Sequence, residues 1–316
     1  MATRRDLLKA GMAAALGSAA LSRQASAASE GATPAGKPLI IDSHVHVFER
    51  NPAYPFGSAT TFPTFVPPTV DATPETLLAL MKANDVARTV LIQHICYKWD
   101  NSYLADVLKR YPAHFKGVCR VNPEDPAAPD HLSMWVQEKG FNGVRISPFE
   151  DARFDWIRGP LMPPLWQRCQ ALKVPMTVLT DHSRLQDVMR LVEKFPDLTV
   201  VIDHMADIRP DHPEQLAALL AFARYPKVFV KISHMWSISD QPYPYRDSQD
   251  QVKRLLDAFG ARRLMWGTDH PVSLPNLPYE KSVALFRDQL SFLSEADRQQ
   301  ILGKTVQEVW PFGLTG

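Results

Sequence analysis

MTVLTDHSRLQDVMRLVEKFPDLTVVIDH, residues 176–204, contains one complete repeat of the chain's architecture. Met176–Thr180 is a short run rich in β-branched and apolar residues, and Thr199–His204 is a second. Between them, in Ser183 to Lys194, Leu185, Val188, Met189 and Val192 recur at helical spacing. Two strands joined by a helix of this length read as parallel neighbours with a crossover. Working outward, the same alternation continues in both directions. Upstream lie candidate strands Pro38–Val47, Thr89–His94, Lys116–Val121 and Gly143–Ser147; downstream lie Lys227–Ser233 and Arg263–Asp269. Thr73-Pro74-Glu75-Thr76 opens a helix, with Thr73 as its cap and Pro74 in its first turn. Glu214 to Arg224 and Gln249 to Phe259 repeat the helical pattern. Eight strands with crossover helices in one unit, residues 37–316, match a (β/α)8 TIM barrel, an α/β fold of about 250 residues. The alternative is an open doubly wound sheet. That fold is expected to carry a glycine-rich phosphate turn, and neither GxGxxG nor GxxxxGK[ST] occurs.

Composition narrows the function. The 316 residues are 45% hydrophobic and 22% charged, which excludes a disordered, collagen-like or coiled-coil chain. Lys+Arg is 35 against Asp+Glu at 34, a net charge of +1, so nothing favours nucleic acid. The three cysteines, Cys96, Cys119 and Cys169, have no metal-ligand spacing, and an odd count excludes a complete disulfide framework. The 27 prolines point to long ordered loops. Asn51 to Asp71 is expected over the barrel mouth, and Ser237–Ser248, with Tyr243, Tyr245 and Arg246, is expected to help choose the substrate. Trp135, Trp156 and Trp166 read as cover for barrel or loop surface.

The first 27 residues read as an address. Arg4-Arg5 precedes the Ala- and Gly-rich stretch Ala10 to Leu21, and Ala25-Ser26-Ala27 supplies a small-x-small cleavage pattern. This is the expectation of a twin-arginine export signal (1–27), a short linker (28–36) and a periplasmic enzyme. Cleavage would remove four bases and one acid, taking the mature charge to −2. No later segment offers a membrane span.

Polar residues collect at the strand ends. In Ile41-Asp42-Ser43-His44-Val45-His46, the two histidines are i, i+2 and share one face. They read as a metal pair or as two hydrogen-bonded mouth histidines. His204 ends the sixth strand and Asp269 the eighth, and both converge on the same mouth. Asp269 can bind metal, take a proton from water, or do both in turn. Arg145, inside the fourth strand, needs a partner, either a substrate carboxylate or an internal carboxylate. Arg120 reads the same way, and His94, His182 and His234 stand at strand ends. Cys119 reads as a small buried residue.

Ile41–His46, Gly140–Arg145, Ile202–His204, Phe229–Ser233 and Leu264–Pro271 together resemble the amidohydrolase-2 branch of the amidohydrolase superfamily. Within it, the chain is most similar to the 2-pyrone-4,6-dicarboxylate lactonase and sugar-lactonase group, from about Pro38 to Phe312. The resemblance implies a barrel with its site at the strand C-termini, and water attack on a lactone bearing carboxylate or hydroxyl groups. Arg145, Arg120 and His94, at strand ends, are expected to bind substrate, and the resemblance implies Asp269 and His204 as catalytic residues. It implies His44, His46, Asp269 and His182 for one divalent metal, zinc first, in a group where the metal is sometimes dispensable. A metal-dependent non-oxidative decarboxylase on the same barrel is the alternative, and a non-catalytic periplasmic binder is a third. The expected partner is a small molecule, with no nucleic acid and no membrane after cleavage; a homodimer stays open.

Overall fold

The computed structural model describes residues 38–57, 67–149 and 152–313. The expected export signal (1–27) and linker (28–36) lie outside these residues. Apart from Pro38, the described chain belongs to one compact unit, Leu39–Gly316.

Its eight strands are parallel and stand in chain order: β1 Ile40–Val45, β2 Val86–Ile92, β3 Phe115–Arg120, β4 Val144–Ile146, β5 Met176–Val178, β6 Val200–Ile202, β7 Val228–Lys231 and β8 Leu264–Met265. The ring closes between β1 and the end of β8. Val45 bridges His270 in parallel, Ser43 N–H donates to Trp266 O at 3.2 Å, and Asp269 N–H donates to His44 O at 2.9 Å. The barrel expected from the alternation is therefore the one formed. β1 and β4 to β8 are shorter than their apolar runs, because the polar residues at their ends leave the ladder, whereas β2 starts three residues earlier than expected and β3 keeps its expected length.

The crossover helices are α1 Pro74–Ala83, α2 Ser102–Arg110, α3 Ala128–Gln137, α4 Met162–Leu172, α5 Leu185–Lys194 and α6 Pro213–Leu220, followed by the single turn α7 Met235–Ile238 and by α8 Arg246–Phe259. Thr73 caps α1 as expected, its side chain accepting from Thr76 N–H at 3.3 Å. On α5, Leu185, Val188, Met189 and Val192 are all buried. After β8 come α9 Tyr279–Ala284, α10 Glu295–Gln299 and α11 Thr305–Val309.

Strand alternation sorts the core. Val144, Ile146, Met176, Val178, Val200 and Ile202 join the large cluster under the helices. Ile41, Val90, Ile92, Val118, Val201, Phe229 and Met265 form the inner cluster, and Val306 and Trp310 join them from α11 and the residue after it. A fully buried aliphatic side chain contributes about 1.5–3 kcal/mol. Both faces of the sheet are held in this way, so the polar residues above the inner cluster are displayed on a rigid ring.

One irregularity aims the site. The β1–β2 register runs from Asp42↔Thr89 to Val45↔Leu91, three steps against two. This is a β-bulge, and it switches the phase of the strand. Ile41 faces the interior; plain alternation from it would turn His44 and His46 outward, and the extra residue turns them in. The Asp42 carboxylate holds the bulge, accepting from His44 N–H (3.1 Å), Thr268 N–H (3.0 Å) and the Thr268 hydroxyl (2.7 Å). Gly267 makes the close approach possible, since a Cβ there would lie 2.9 Å from both His44 Cβ and Ser43 Oγ.

Candidate active site

Four residues expected at the mouth meet there: His44, His46, His204 and Asp269 are all buried. Asp269 Oδ1 lies 3.3 Å from His46 Nε2 and 3.5 Å from His44 Nε2. Its other oxygen lies 2.7 Å from His234 Nε2. Burial pushes the Asp269 carboxyl up, but the surrounding histidines, His234 foremost, outweigh it and hold it well below the usual carboxylate range. Burial lowers His44 and His204 well below 6.5, so both rings are neutral at pH 7.

Beneath this group lies an ion network. Lys231 Nζ is 3.0 Å from Asp203 Oδ1 and 3.1 Å from His44 Nδ1, and it sits 5.4 Å from the Trp310 ring centre. Arg145 Nε donates to Asp203 Oδ2 at 2.9 Å, so the internal carboxylate is the partner its sequence position demanded. Burial pushes Asp203 up, and Lys231 and Arg145 outweigh it and hold it well below 3.8.

The backbone around the site is unusual. His204, Met205, Ala206 and Asp207 have φ of 53°, 53°, 55° and 47°, and His234 and Asp269 have 64° and 57°. None is glycine, and a left-handed non-glycine residue costs about 1–2 kcal/mol. Such strain persists only where the surroundings over-determine the backbone, as happens at functional sites.

The donors suit a divalent cation. His46 Nδ1 is 2.7 Å from the Ile92 carbonyl, which only accepts, so Nδ1 carries the proton and Nε2 offers a lone pair. That lone pair faces the Asp269 carboxylate across 3.3 Å, two acceptors that ask for a cation between them. His44 Nε2 is buried without a hydrogen-bond partner. Donor atoms on a tetrahedral ion with bonds of 2.0–2.1 Å stand about 3.3 Å apart, the spacing seen here. Two groups compete for His44 Nδ1: Lys231 Nζ at 3.1 Å and Asp203 Oδ1 at 3.5 Å. Charged Lys231 only donates, which places a proton on Nε2; ligation through Nε2 needs Nδ1–H turned to Asp203 instead.

Beside this centre a cavity of about 410 Å³ opens at the ends of β3 and β4. Arg120, Arg145, Trp99, Phe154 and Trp156 line it, and Glu124 is exposed at its edge. Arg120 is 2% exposed, its guanidinium sits 5.5 Å from the Trp99 ring centre, and its Nε has no hydrogen-bond partner. Burial, reinforced by the Arg145 charge, pulls its pKa down to about 9. Of the two buried guanidiniums in the cavity wall, Arg145 is paired with Asp203 and Arg120 faces the Trp99 ring. The cavity is therefore electropositive and aromatic-walled.

The amidohydrolase family profile matches residues 41–312, the whole barrel from β1 past α11. The chain belongs to the amidohydrolase family. It is 28% identical over 241 residues to an L-fucono-1,5-lactonase of Burkholderia ambifaria, covering 74% of this chain and 80% of the relative. Among solved structures it resembles a Pseudomonas putida protein described as a 2-pyrone-4,6-dicarboxylic acid hydrolase (TM-score 0.75, 24% identity, 88% of this chain, 100% of that one). It also resembles a Burkholderia multivorans amidohydrolase solved with bound zinc (TM-score 0.72, 23% identity, 88% of this chain, 100% of that one). These two structural likenesses bear on the fold.

The amidohydrolase barrel places the remaining expected residues as follows. His94 lies at the mouth, its ring 5.0 Å from His46, with Nδ1 accepting from Cys96 N–H at 3.2 Å. His182 begins a 3₁₀ turn after β5 and is in none of the three donor groups within 4.8 Å among the described residues. Trp156 lines the cavity, whereas Trp166 is fully buried on the inner face of α4 and Trp135 packs on Phe141. Of the expected substrate loop, Tyr245 is buried and Tyr243 turns toward Lys281, so the aromatic walls come from Trp99, Phe154 and Trp156 instead. Of the Asn51–Asp71 loop, residues 58–66 lie outside the described residues. Its base closes through the Phe48–Ala72 bridge, and Tyr54 and Phe56 pack on Tyr103 and Tyr97. Sequence reasoning assigned no role to Lys231, Asp203 or His234. Lys231 carried the same signal as Arg145, a charge in the middle of an apolar strand.

Proposed function

We propose that this amidohydrolase is a lactonase that opens a carboxylate-bearing cyclic ester. The observation that carries the reading is an ionised Asp269 facing two histidines, beside a cavity whose buried Arg120 has no carboxylate partner among the described residues. Arg120 holds the substrate carboxylate by charge-assisted hydrogen bonds, the Trp99 and Trp156 faces cover the ring, and the ester carbonyl points toward His44 and His204. Asp269 takes a proton from the attacking water. His44 Nε2–H and the His204 ring stabilise the oxyanion that forms on the carbonyl oxygen. The new C–O bond to water replaces the ring C–O bond. The leaving ring oxygen takes a proton back, and the acid product ionises, releasing one proton to solvent.

A divalent ion, zinc by the His₂Asp donor chemistry, would be held by His46 Nε2, Asp269 and His44 Nε2, the last only with the His44 proton on Nδ1 toward Asp203, and the ion would then take over the oxyanion role of Nε2–H. There it would polarise the carbonyl and acidify water. The zinc-bound Burkholderia relative supports that choice of metal. The lactonase reading draws support from the L-fucono-1,5-lactonase relative, whereas the electropositive cavity favours an anionic lactone over a neutral sugar lactone. We also propose export through the twin-arginine signal, on the strength of Arg4-Arg5 and Ala25-Ser26-Ala27. The mass of the protein recovered from the periplasm, shortened by 27 residues, checks it.

A proton-balance assay tests the function. The purified protein is offered lactones and aromatic carboxylates in weak buffer, with CO2 swept away. Acidification with a carboxylate-bearing lactone is the expected result. Alkalinisation with a carboxylate would mean decarboxylation and would overturn the reading.

A further inference from the structure

His234 is poised to control the two reacting groups on either side of it. It follows β7 on a left-handed residue, and both of its ring nitrogens face carboxylates. Nε2 lies 2.7 Å from Asp269 Oδ2 and Nδ1 lies 2.8 Å from Asp207 Oδ1. Both neighbours are acceptors, so both ring nitrogens donate, and neither is left as a metal ligand. The same ring stacks flat on His204, with centroids 3.5 Å apart and an interplanar angle of 0°. The Trp236 ring meets it edge-on, with centroids 5.1 Å apart.

We propose that Asp207 and His234 form a positioning pair, built to fix the rotation of the Asp269 carboxylate and the plane of the His204 ring. This rests on the reading of Asp269 as the base. With Oδ2 engaged by His234, only Oδ1 faces His44 and His46, so the carboxylate cannot swing away from the water it deprotonates. With His204 stacked below and its Nδ1 2.7 Å from Ser233 Oγ, its Nε2 edge is the one left for the carbonyl oxygen. Asp207 is reached only through the left-handed run from His204 to Asp207. That run brings the carboxylate to His234, whose ring is stacked on His204. An extended or right-handed backbone would carry Asp207 elsewhere, which explains why the strained backbone is kept. Asp207 is a third exposed and His234 is 13% exposed, so the pair forms the outer wall of the site.

His234→Phe keeps a ring to stack and removes both hydrogen bonds. We expect kcat to fall about 10- to 100-fold, as for lost outer partners of a catalytic group, with KM changed less than about threefold and the folded spectrum retained. Asp207→Ala moves kcat in the same direction, and Asp207→Asn, which still accepts from Nδ1–H, restores most of it. A residue that only supports the fold would lower the melting temperature and leave kcat alone. Nitrogen-15 histidine NMR of the resting protein reads the clamp without substrate. It should show one ring with two hydrogen-bonded, slowly exchanging N–H groups, both lost in His234→Phe and one lost in Asp207→Ala. If His234→Phe keeps kcat within twofold, or if no such ring is seen, the proposal falls. If the ring is seen and no lactone is opened, the clamp stands and the lactonase reading falls instead.

Discussion

Arg120→Met should make the protein more stable while removing its preference for an acidic substrate. The guanidinium is buried, and its pKa is pulled down from the usual arginine range to about 9, by burial first and then by the Arg145 charge. At about 1.4 kcal/mol per pH unit, that fall sets a ceiling on the order of 5 kcal/mol for the cost of keeping the charge there. Part of it is returned by the Trp99 face, where a cation–π contact is worth about 1 kcal/mol, and by the packing of the methylenes, which Met retains. A net gain of about 1–3 kcal/mol is expected for the variant, read as a higher urea midpoint at pH 7. The sign with pH is fixed by the lowered pKa. Below about 9 both folded and unfolded chains carry the proton, so the penalty is present in full. As pH rises, the folded chain gives up its proton first, and the penalty shrinks. The advantage of the variant should therefore narrow between pH 7 and pH 10. On the activity side, losing a hydrogen bond to a charged group costs about 1.5–3 kcal/mol. That loss should raise KM for a carboxylate-bearing lactone roughly 10- to 150-fold and leave neutral lactones unaffected. A variant no more stable than the wild type would refute the reasoning. It would mean that the Arg120 charge is already compensated inside the protein and is not held in reserve for a ligand.

Asp269→Asn should cut turnover by at least about a thousandfold with circular dichroism unchanged, since the group that takes the proton is gone; full activity would remove Asp269 from the mechanism. Chelation should lower turnover and added zinc should restore it, with metal content followed by elemental analysis. Undiminished activity of a demonstrably metal-free protein would leave His44 Nε2–H and His204 as the sole oxyanion donors. Lys173 sits exposed at the end of α4 with φ 56° and ψ 38°. Lys173→Gly should stabilise by about 1 kcal/mol, seen as a rise of roughly 2 °C or more in Tm, because glycine bears no left-handed penalty; a lower Tm would contradict it.

Much of this molecule was legible before any coordinate. Apolar runs alternating with helical spacing gave the barrel, because strand and helix periods are local properties of the chain. HxH on β1 and the aspartate after β8 gave the centre of the site, because a parallel barrel gathers its strand ends at one mouth. The Arg145 position admits two partners, and only the packed barrel selects Asp203, which is 58 residues away. Lys231 and His234 were readable as letters but not as roles, since their meaning depends on what faces them across the barrel.

The number of strands, their parallel order and the residue types available at the mouth follow from local pattern. Periodicity and turn chemistry act over a few residues and need no distant partner. Where those residues point is set by packing in three dimensions. The bulge between Asp42 and Val45 turns His44 and His46 inward, Gly267 lets β8 close against it, and the left-handed run from His204 brings Asp207 to His234. Each of these is set by contacts between segments far apart in the chain, where burial and hydrogen bonding outweigh local backbone preference.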